Sequence, residues 1–493
     1  MGDSIDLELR IFEGPQATID KVTIAGNDRT HEHVIRRELR TRPGQKFSRT
    51  DIVRSQREIV NLGYFNPEAL GISTPVNAQR GTVDIEYTVE EKPSDLLELS
   101  AGWGGAGRGV IGTLGVSFNN FSLRNILHKE TWSPLPQGDG QRLSLRAQTN
   151  GRFFQSYNAS FTEPWLGGKK PNSFTVAGFL TRVTNGQLST SVNFQRLTIA
   201  SLSVGLGTRL KWPDDNFVSN TTLTYQVLNL DNWQTANFGL DDGTFVTDGR
   251  FNNISINQTI SRSTINEPIF PTSGARFSLS VQLTPPYSVL GNDQSNVGGE
   301  SGATPQERFR FVEYHKWRFN AEWFTALVGK LTLRASAKIG LLGSYNDDVG
   351  VSPFERFVLG GDGLSNQQSN LLGFDLISLR GYEEEDLPNS GEGGAAVFDK
   401  FTVELRYPIS LNPSATIFVL AFFEGGNSFN RIREFNPFDV RRSAGLGVRV
   451  FLPVFGTLGF DYGLGFDRDD VNPDNGIFNN FGNFNIILGF EPE

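Results

Sequence analysis

The sequence predicts an all-β transmembrane barrel preceded by a small α+β domain, and three observations carry that prediction. The first is a period-two alternation that recurs from about residue 96 to the last Phe. Leu331, Leu333, Ala335, Ala337 and Ile339 alternate with Thr332, Arg334, Ser336 and Lys338. Successive side chains of a strand point to opposite faces, so such a segment has one oily and one wet surface. The same rhythm runs through Phe277–Leu283, Ala444–Leu452 and Phe484–Phe490. The second is extent: many segments of roughly ten residues, punctuated by Gly, Asn, Asp and Pro, form the pattern of a membrane-spanning barrel. The third is aromatic content, 40 Phe, 10 Tyr and 7 Trp, which suits a lipid-facing band and its interfacial girdles. A large soluble β-sandwich or propeller shares the alternation but needs neither the extent nor the aromatics.

Composition bounds the rest. Mean hydropathy is −0.29. The longest apolar run, Ile417–Phe423, falls far short of the about 18 residues that a spanning helix needs. Barrel sequences read this way because polar lumen residues dilute every window. The net charge of −9, with no long Lys/Arg block, argues against a nucleic-acid partner. The absence of Cys rules out disulfides and thiolate chemistry. Met1, Gly2 and Asp3 lead straight into polar sequence, so residues 1–2 are expected to be foreign to a mature, already exported protein.

Residues 17–93 read differently. Ile19–Ile24 is a strand closed by turn residues at Ala25–Asp28. Thr30 is expected to cap a helix carrying Val34, Ile35 and Leu39. Ser48 is expected to cap a second, carrying Ile52, Val53, Ile59, Val60 and Leu62, and Gly63, Tyr64 and Phe65 end it. Two strands follow, Gly71–Val76 and Thr82–Glu90, which gives the order β-α-α-β-β. Ile24–Asn27, Gly44–Ser48, Leu62–Phe65 and Val83–Glu91 resemble the matching blocks of a POTRA domain, the periplasmic module of the BamA superfamily of outer-membrane assembly factors. Residues 1–16 read as the remnant of a preceding, similar module or as a linker, and 94–493 as the barrel. Outside loops are expected at 128–141, 285–308 and 360–397, and turns on the opposite rim at 163–167 and 271–274.

Several motifs are decoys. Gly102–Gly107 matches GxGxxG formally, but a strand from Val110 follows where a dinucleotide site needs a helix. His31 and His33 lie two apart at a helix start with no further ligand expected nearby, which reads as a surface pair. HExxH, GxSxG and P-loop motifs are absent, so neither an enzyme, a metal nor a cofactor is expected.

Leu379, Arg380, Gly381 and Tyr382 form the strongest single motif. An isolated Arg in a long Gly-rich, acidic loop has no fold-level reason to be there. The block resembles the Arg-Gly-Phe/Tyr motif of the BamA superfamily, on the sixth extracellular loop folded back into the barrel. The resemblance implies sixteen strands and an acidic strand partner for the arginine. The matching stretch is Phe422–Asn427, so Glu424 stands in place of the usual Asp. A guanidinium inside a barrel must find an acceptor, and Arg380 and Glu424 are expected to pair and to pin loop six inside the lumen, with the longer Glu side chain leaving a bidentate geometry open.

The C-terminal strand carries Phe484, Ile486, Leu488 and Phe490, the form of an outer-membrane β-signal, followed here by Glu491, Pro492 and Glu493. The first strand carries Leu97, Leu99, Ala101, Gly102, Trp103 and Gly104, and its glycines weaken packing. By resemblance these two strands meet at a weak lateral seam. The resemblance also implies a function, folding and inserting β-barrel proteins into the outer membrane. The implied partners are unfolded outer-membrane proteins, accessory lipoproteins, periplasmic chaperones and outer-membrane lipids. A secretion transporter of the two-partner type and a TamA-like assembly factor share the plan, whereas a passive porin needs neither the loop motif nor a POTRA domain.

Overall fold

The computed structural model describes residues 16–103, 110–128, 132, 135–234, 238–240, 244–290, 304–361, 374–383, 386–387, 393–412, 414–452, 456–468 and 482–489. Residues 1–15, Gly104 and Phe490 lie outside them, and so do the expectations placed there.

The N-terminal domain follows the predicted order. Strand β1 (Thr18–Ala25) precedes helices α1 (Glu32–Arg36) and α2 (Arg49–Asn61), then β2 (Gly71–Ser73), β3 (Val76–Asn77) and β4 (Thr82–Thr88). Central β4 pairs parallel with β1 and antiparallel with β2 and β3. The alternate residues Val83, Ile85 and Tyr87 of β4 pack with Val34, Ile35 and Ile59 of the helices. Ser48 caps α2 as expected, its hydroxyl accepting from the Asp51 amide at 3.3 Å. Thr30 does not cap α1. His31 holds that position without a side-chain cap. The Thr30 hydroxyl is occupied elsewhere, accepting from Asn120 Nδ2 at 2.8 Å. Burial pushes the Tyr64 phenol up to about 12.

The remaining long strands form one antiparallel sheet. They are β5 (Leu96–Trp103), β6 (Val110–Phe121), β7 (Gln141–Thr149), β8 (Phe154–Glu163), β9 (Asn172–Thr184), β10 (Arg196–Arg209), β11 (Phe217–Asp231), β12 (Gly249–Ser263), β13 (Gly274–Leu283), β14 (His315–Ala326) and β15 (Thr332–Gly343). A short parallel pair, β16 (Phe357–Leu359) and β17 (Asp375–Ile377), then interrupts inside a long loop. The sheet resumes with β18 (Val397–Asn412), β19 (Ala415–Phe429), β20 (Arg441–Leu452), β21 (Gly456–Gly465) and β22 (Gly482–Gly489). Its 16 strands pair in chain order, with β5 at one end and β22 at the other. Helix formation after residue 96 is confined, among the described residues, to single turns such as α3 (Pro305–Arg308).

The alternation sorts the two faces as the sequence implies. On β18, Lys400, Thr402, Glu404 and Arg406 are buried on the inner face, while Val403, Leu405, Tyr407 and Ile409 are exposed. Exposed apolar residues also mark the outer face two strands away on either side, with Trp317, Phe319 and Trp323 on β14 and Leu446 and Val448 on β20. At one end, loop residues and strand ends build an apolar core that includes Phe238, Phe251, Phe309, Phe354, Phe357 and Phe398.

The expected outside loop at 128–141 is corrected. Connections in an antiparallel sheet alternate sides, so the link between β6 and β7 falls on the side where residue 95 enters, together with the turn at 164–171. Chain contacts group Gly115–Ser144 and Phe161–Lys170 with the N-terminal domain into one compact unit. Within it, Tyr64 OH donates to the Gly140 carbonyl at 3.3 Å and Trp165 Nε1 donates to Glu38 at 2.6 Å.

Leu405→Lys places a charge in the middle of the outer face of β18. It is expected to cost about 2–4 kcal/mol, read as the lowered urea midpoint of the chain unfolding from lipid vesicles.

Candidate functional site

Two neighbouring strands supply the acidic floor of the site. Even-numbered residues of both β18 and β19 face inward, and cross-strand register sets Thr402 opposite Glu424 and Glu404 opposite Phe422. Strand β21 adds Asp461 from the same face. A carboxylate buried inside a sheet persists only if paired, and each of these three is. Arg449 clasps Asp461 through two bonds of 2.6 and 2.8 Å. Arg406 lies 2.6 Å and Arg334 3.2 Å from Glu404. Lys400 lies 3.0 Å from Glu424.

Into this floor the long loop between β15 and β18 inserts Arg380. Its backbone amide donates to Glu424 Oε2 at 3.0 Å, while Nε and Nη2 donate to Glu424 Oε1 at 3.1 and 2.6 Å. The pair forms, but not as a fork that spans both carboxylate oxygens. One carboxylate oxygen holds the guanidinium and the other holds the main chain, so Glu424 fixes both the charge and the loop's path. Nη2 reaches Glu404 at 2.6 Å and Nη1 reaches Asp461 at 3.4 Å. The guanidinium also lies 3.7 Å from the ring centroid of Phe422, a cation–π contact strengthened by burial.

Glycines let the backbones touch. Gly381 has φ +93°, and a Cβ there would meet Gly465 N at 2.9 Å. A Cβ on Gly463 would meet Gly381 N at 2.8 Å, and one on Gly465 would meet Gly381 O at 2.5 Å. Only Gly accepts that conformation without strain and that approach without a clash. Tyr382 completes the seat, its hydroxyl donating to the Arg442 carbonyl at 2.8 Å and accepting from the Asp467 amide at 2.9 Å. Leu379 is fully buried above it.

The structure thus brings Leu379, Arg380, Gly381, Tyr382 and Glu424 together. Sequence reading missed Glu404, Asp461, Lys400, Arg334, Arg406 and Arg449. Their signal was available only for β15, where alternation puts Arg334 on the polar face, and for β18, where a charged residue recurs at every inward position but one between Lys400 and Arg406. The seam residues lie at the two ends of the strand order. Leu97, Leu99, Ala101, Gly102 and Trp103 are on β5, while Phe484, Ile486 and Leu488 are on β22 and pair with β21. Pairing of β5 with β22 is not among the described ladders. One further expectation is corrected: His31 and His33 do have a third potential ligand beside them, Asp139, which is distant in sequence.

A sixteen-stranded antiparallel sheet with an apolar outer face, a charged inner face, an inserted arginine loop and a POTRA domain in front defines an outer-membrane β-barrel protein whose POTRA domain lies in the periplasm. The Omp85 superfamily domain matches residues 137–487. The chain belongs to that superfamily and is of the BamA type. A POTRA domain, described as a surface antigen variable number repeat, matches residues 17–92. The outer membrane protein assembly factor BamA of Neisseria meningitidis is 24% identical over 82% of this chain and 44% of its own length. That of Nitratidesulfovibrio vulgaris is 24% identical over 94% of this chain and 50% of its own. The chain thus spans about half the length of the curated relatives it matches. BamA from Haemophilus ducreyi lacking POTRA domains 1–3 has a similar fold, with TM-score 0.61 and 19% identity, over 92% of this chain and 82% of that one. CdiB from Acinetobacter baumannii gives TM-score 0.54 and 13% identity, over 92% of this chain and 71% of that one.

Removing either partner of the central pair has unequal consequences. In Arg380→Ala every carboxylate keeps a cation, so the expected cost is about 1.5–3 kcal/mol, with the sheet still folded. The change should appear as protease cleavage within the released loop. Glu424→Ala removes the carboxylate that Lys400 shares with Arg380 and leaves the buried ammonium against the neutral Ser378 carbonyl at 2.6 Å. Its expected cost is larger, about 3–5 kcal/mol, seen as a lower urea midpoint than for Arg380→Ala.

Proposed function

We propose that this protein folds β-barrel proteins and inserts them into the outer membrane, through a lateral seam between β5 and β22, and that it does so without enzymatic chemistry. The observation that carries the reading is the strand order, which makes the first and last strands of the sheet its two ends. A terminal strand presents unpaired N–H and C=O groups and is a template for another strand. Leu97 and Leu99 on β5, and Phe484 on β22, are exposed, which suits a surface facing lipid or an incoming barrel strand. A substrate's C-terminal strand would add to such an edge by β-augmentation. The driving force would be the substrate's own closure of backbone hydrogen bonds and burial of apolar surface. Support for assembly over secretion comes from the BamA relatives at 24% identity. Unfolded outer-membrane proteins are the proposed substrates, with accessory lipoproteins, periplasmic chaperones and outer-membrane lipids as partners.

The chain has no Cys, so one cysteine placed in β5 and one in β22 would be its only thiols. Across a panel of such pairs, oxidation is expected to stop barrel assembly and reduction to restore it. Full activity in a seam shown to be cross-linked would overturn the mechanism. In parallel, depletion in the native cell is expected to lower many unrelated folded outer-membrane proteins. Loss of a single exported polypeptide would instead establish a secretion transporter of the two-partner kind.

A further inference from the structure

We infer that His31, His33 and Asp139 form a binding site for a divalent transition-metal ion of the zinc class, clipping the start of α1 to the segment that leads into β7. His31 Nδ1 lies 2.9 Å from Asp139 Oδ1, and His33 Nε2 lies 3.7 Å from the same oxygen. All three ligand atoms fall within 4.8 Å of one another. Ligands about 2.0–2.2 Å from a tetrahedral zinc stand roughly 3.3–3.5 Å apart, so the set is near the required spacing before any ion binds. Binding would replace the proton between His31 and Asp139. Neutral His31 would carry its proton on Nε2, and Nδ1 and Oδ1 would separate by a few tenths of an ångström around the ion. Two imidazoles and one carboxylate suit zinc and its neighbours, whereas Mg²⁺ and Ca²⁺ seek oxygen shells.

The surroundings are arranged for such a set. Residues two apart on a regular helix point about 200° away from each other. Here His31 is still extended (φ −62°, ψ 139°) and the helix begins only after it. The two rings therefore stack, with centroids 5.7 Å apart. Asp139 is buried, and its second oxygen accepts from Ser122 Oγ at 2.7 Å, which fixes the carboxylate's orientation. Gly138 has φ +124°, and a Cβ there would lie 3.0 Å from His31 Cε1 and 2.8 Å from the Arg29 carbonyl. That glycine is what lets the segment approach. Both rings are about half exposed, at 45% and 52%, so an ion can enter and a water can take the fourth position.

The test uses the full chain in detergent, titrated with Zn²⁺ alone by calorimetry. One saturable site per chain is expected, at least about 100-fold tighter than for Mg²⁺. His33→Gln and Asp139→Asn should each weaken it by at least about tenfold, and Ser122→Ala by roughly tenfold. His128→Gln and His315→Gln should leave it unchanged. Because His33 is half exposed, His33→Gln keeps the fold, which heat-dependent gel mobility would verify. Co²⁺ gives a second readout, a visible spectrum of a four-coordinate nitrogen–oxygen site that disappears in His33→Gln. Absence of saturable Zn²⁺ binding, or binding that survives both His33→Gln and Asp139→Asn, would overturn the site whatever the barrel's substrates prove to be.

Discussion

Hydrocarbon offers no hydrogen-bond partner to a peptide group, and the rest of this structure depends on that constraint. Each spanning segment must satisfy its N–H and C=O groups against neighbours, so the chain continues strand beside strand until sixteen have been laid down. A sheet assembled this way has only two places where pairing is not already guaranteed by a sequence neighbour, its first and last strands. Everything proposed about seam and substrate follows from where those two lie. The same constraint explains the side-chain pattern, since lipid selects Val403, Leu405 and Tyr407 on one face and leaves the other to water and charge.

The inner face shows how charge is kept there at tolerable cost. Glu404, Glu424 and Asp461 each meet at least one cation supplied by a strand, and Arg380 arrives as an additional partner to all three. Carboxylates that are already neutralised can receive a loop without waiting for it. The loop arginine, by contrast, draws its acceptors from all three of these carboxylates. The energetic dependence therefore runs chiefly from loop to wall.

Much of this was legible in the sequence because it is local. Alternation along β15 and β18, the helix cap at Ser48 and the Arg-Gly-Tyr motif are properties of short windows. Glu424 could be picked out because it sits in a recognisable block. Glu404 and Asp461 could not, since an acidic residue on an alternating strand looks like a solvated one until neighbouring strands are in register. The side on which 128–141 lies is likewise a matter of strand parity, which no window contains. Thr30 misled because a Thr ahead of a helical pattern is a good cap only when its hydroxyl is free, and Asn120 claims it. The His31–Asp139 contact joins residues 108 positions apart, beyond any spacing rule.

The glycine seat around Gly381 carries one more consequence. Arg380 takes its acceptors from β18, β19 and β21, and its neighbour Gly381 rests on Gly463 and Gly465 of β21. A slip of one residue on any of these strands turns its inward set toward lipid. Such a slip would remove a carboxylate or bring a side chain into the space kept by glycine. The loop can therefore close fully only over a wall whose strands are already correctly aligned. In this protein loop six is thus a gauge of register for the C-terminal third of the sheet, since its seat exists only where β18, β19 and β21 are aligned.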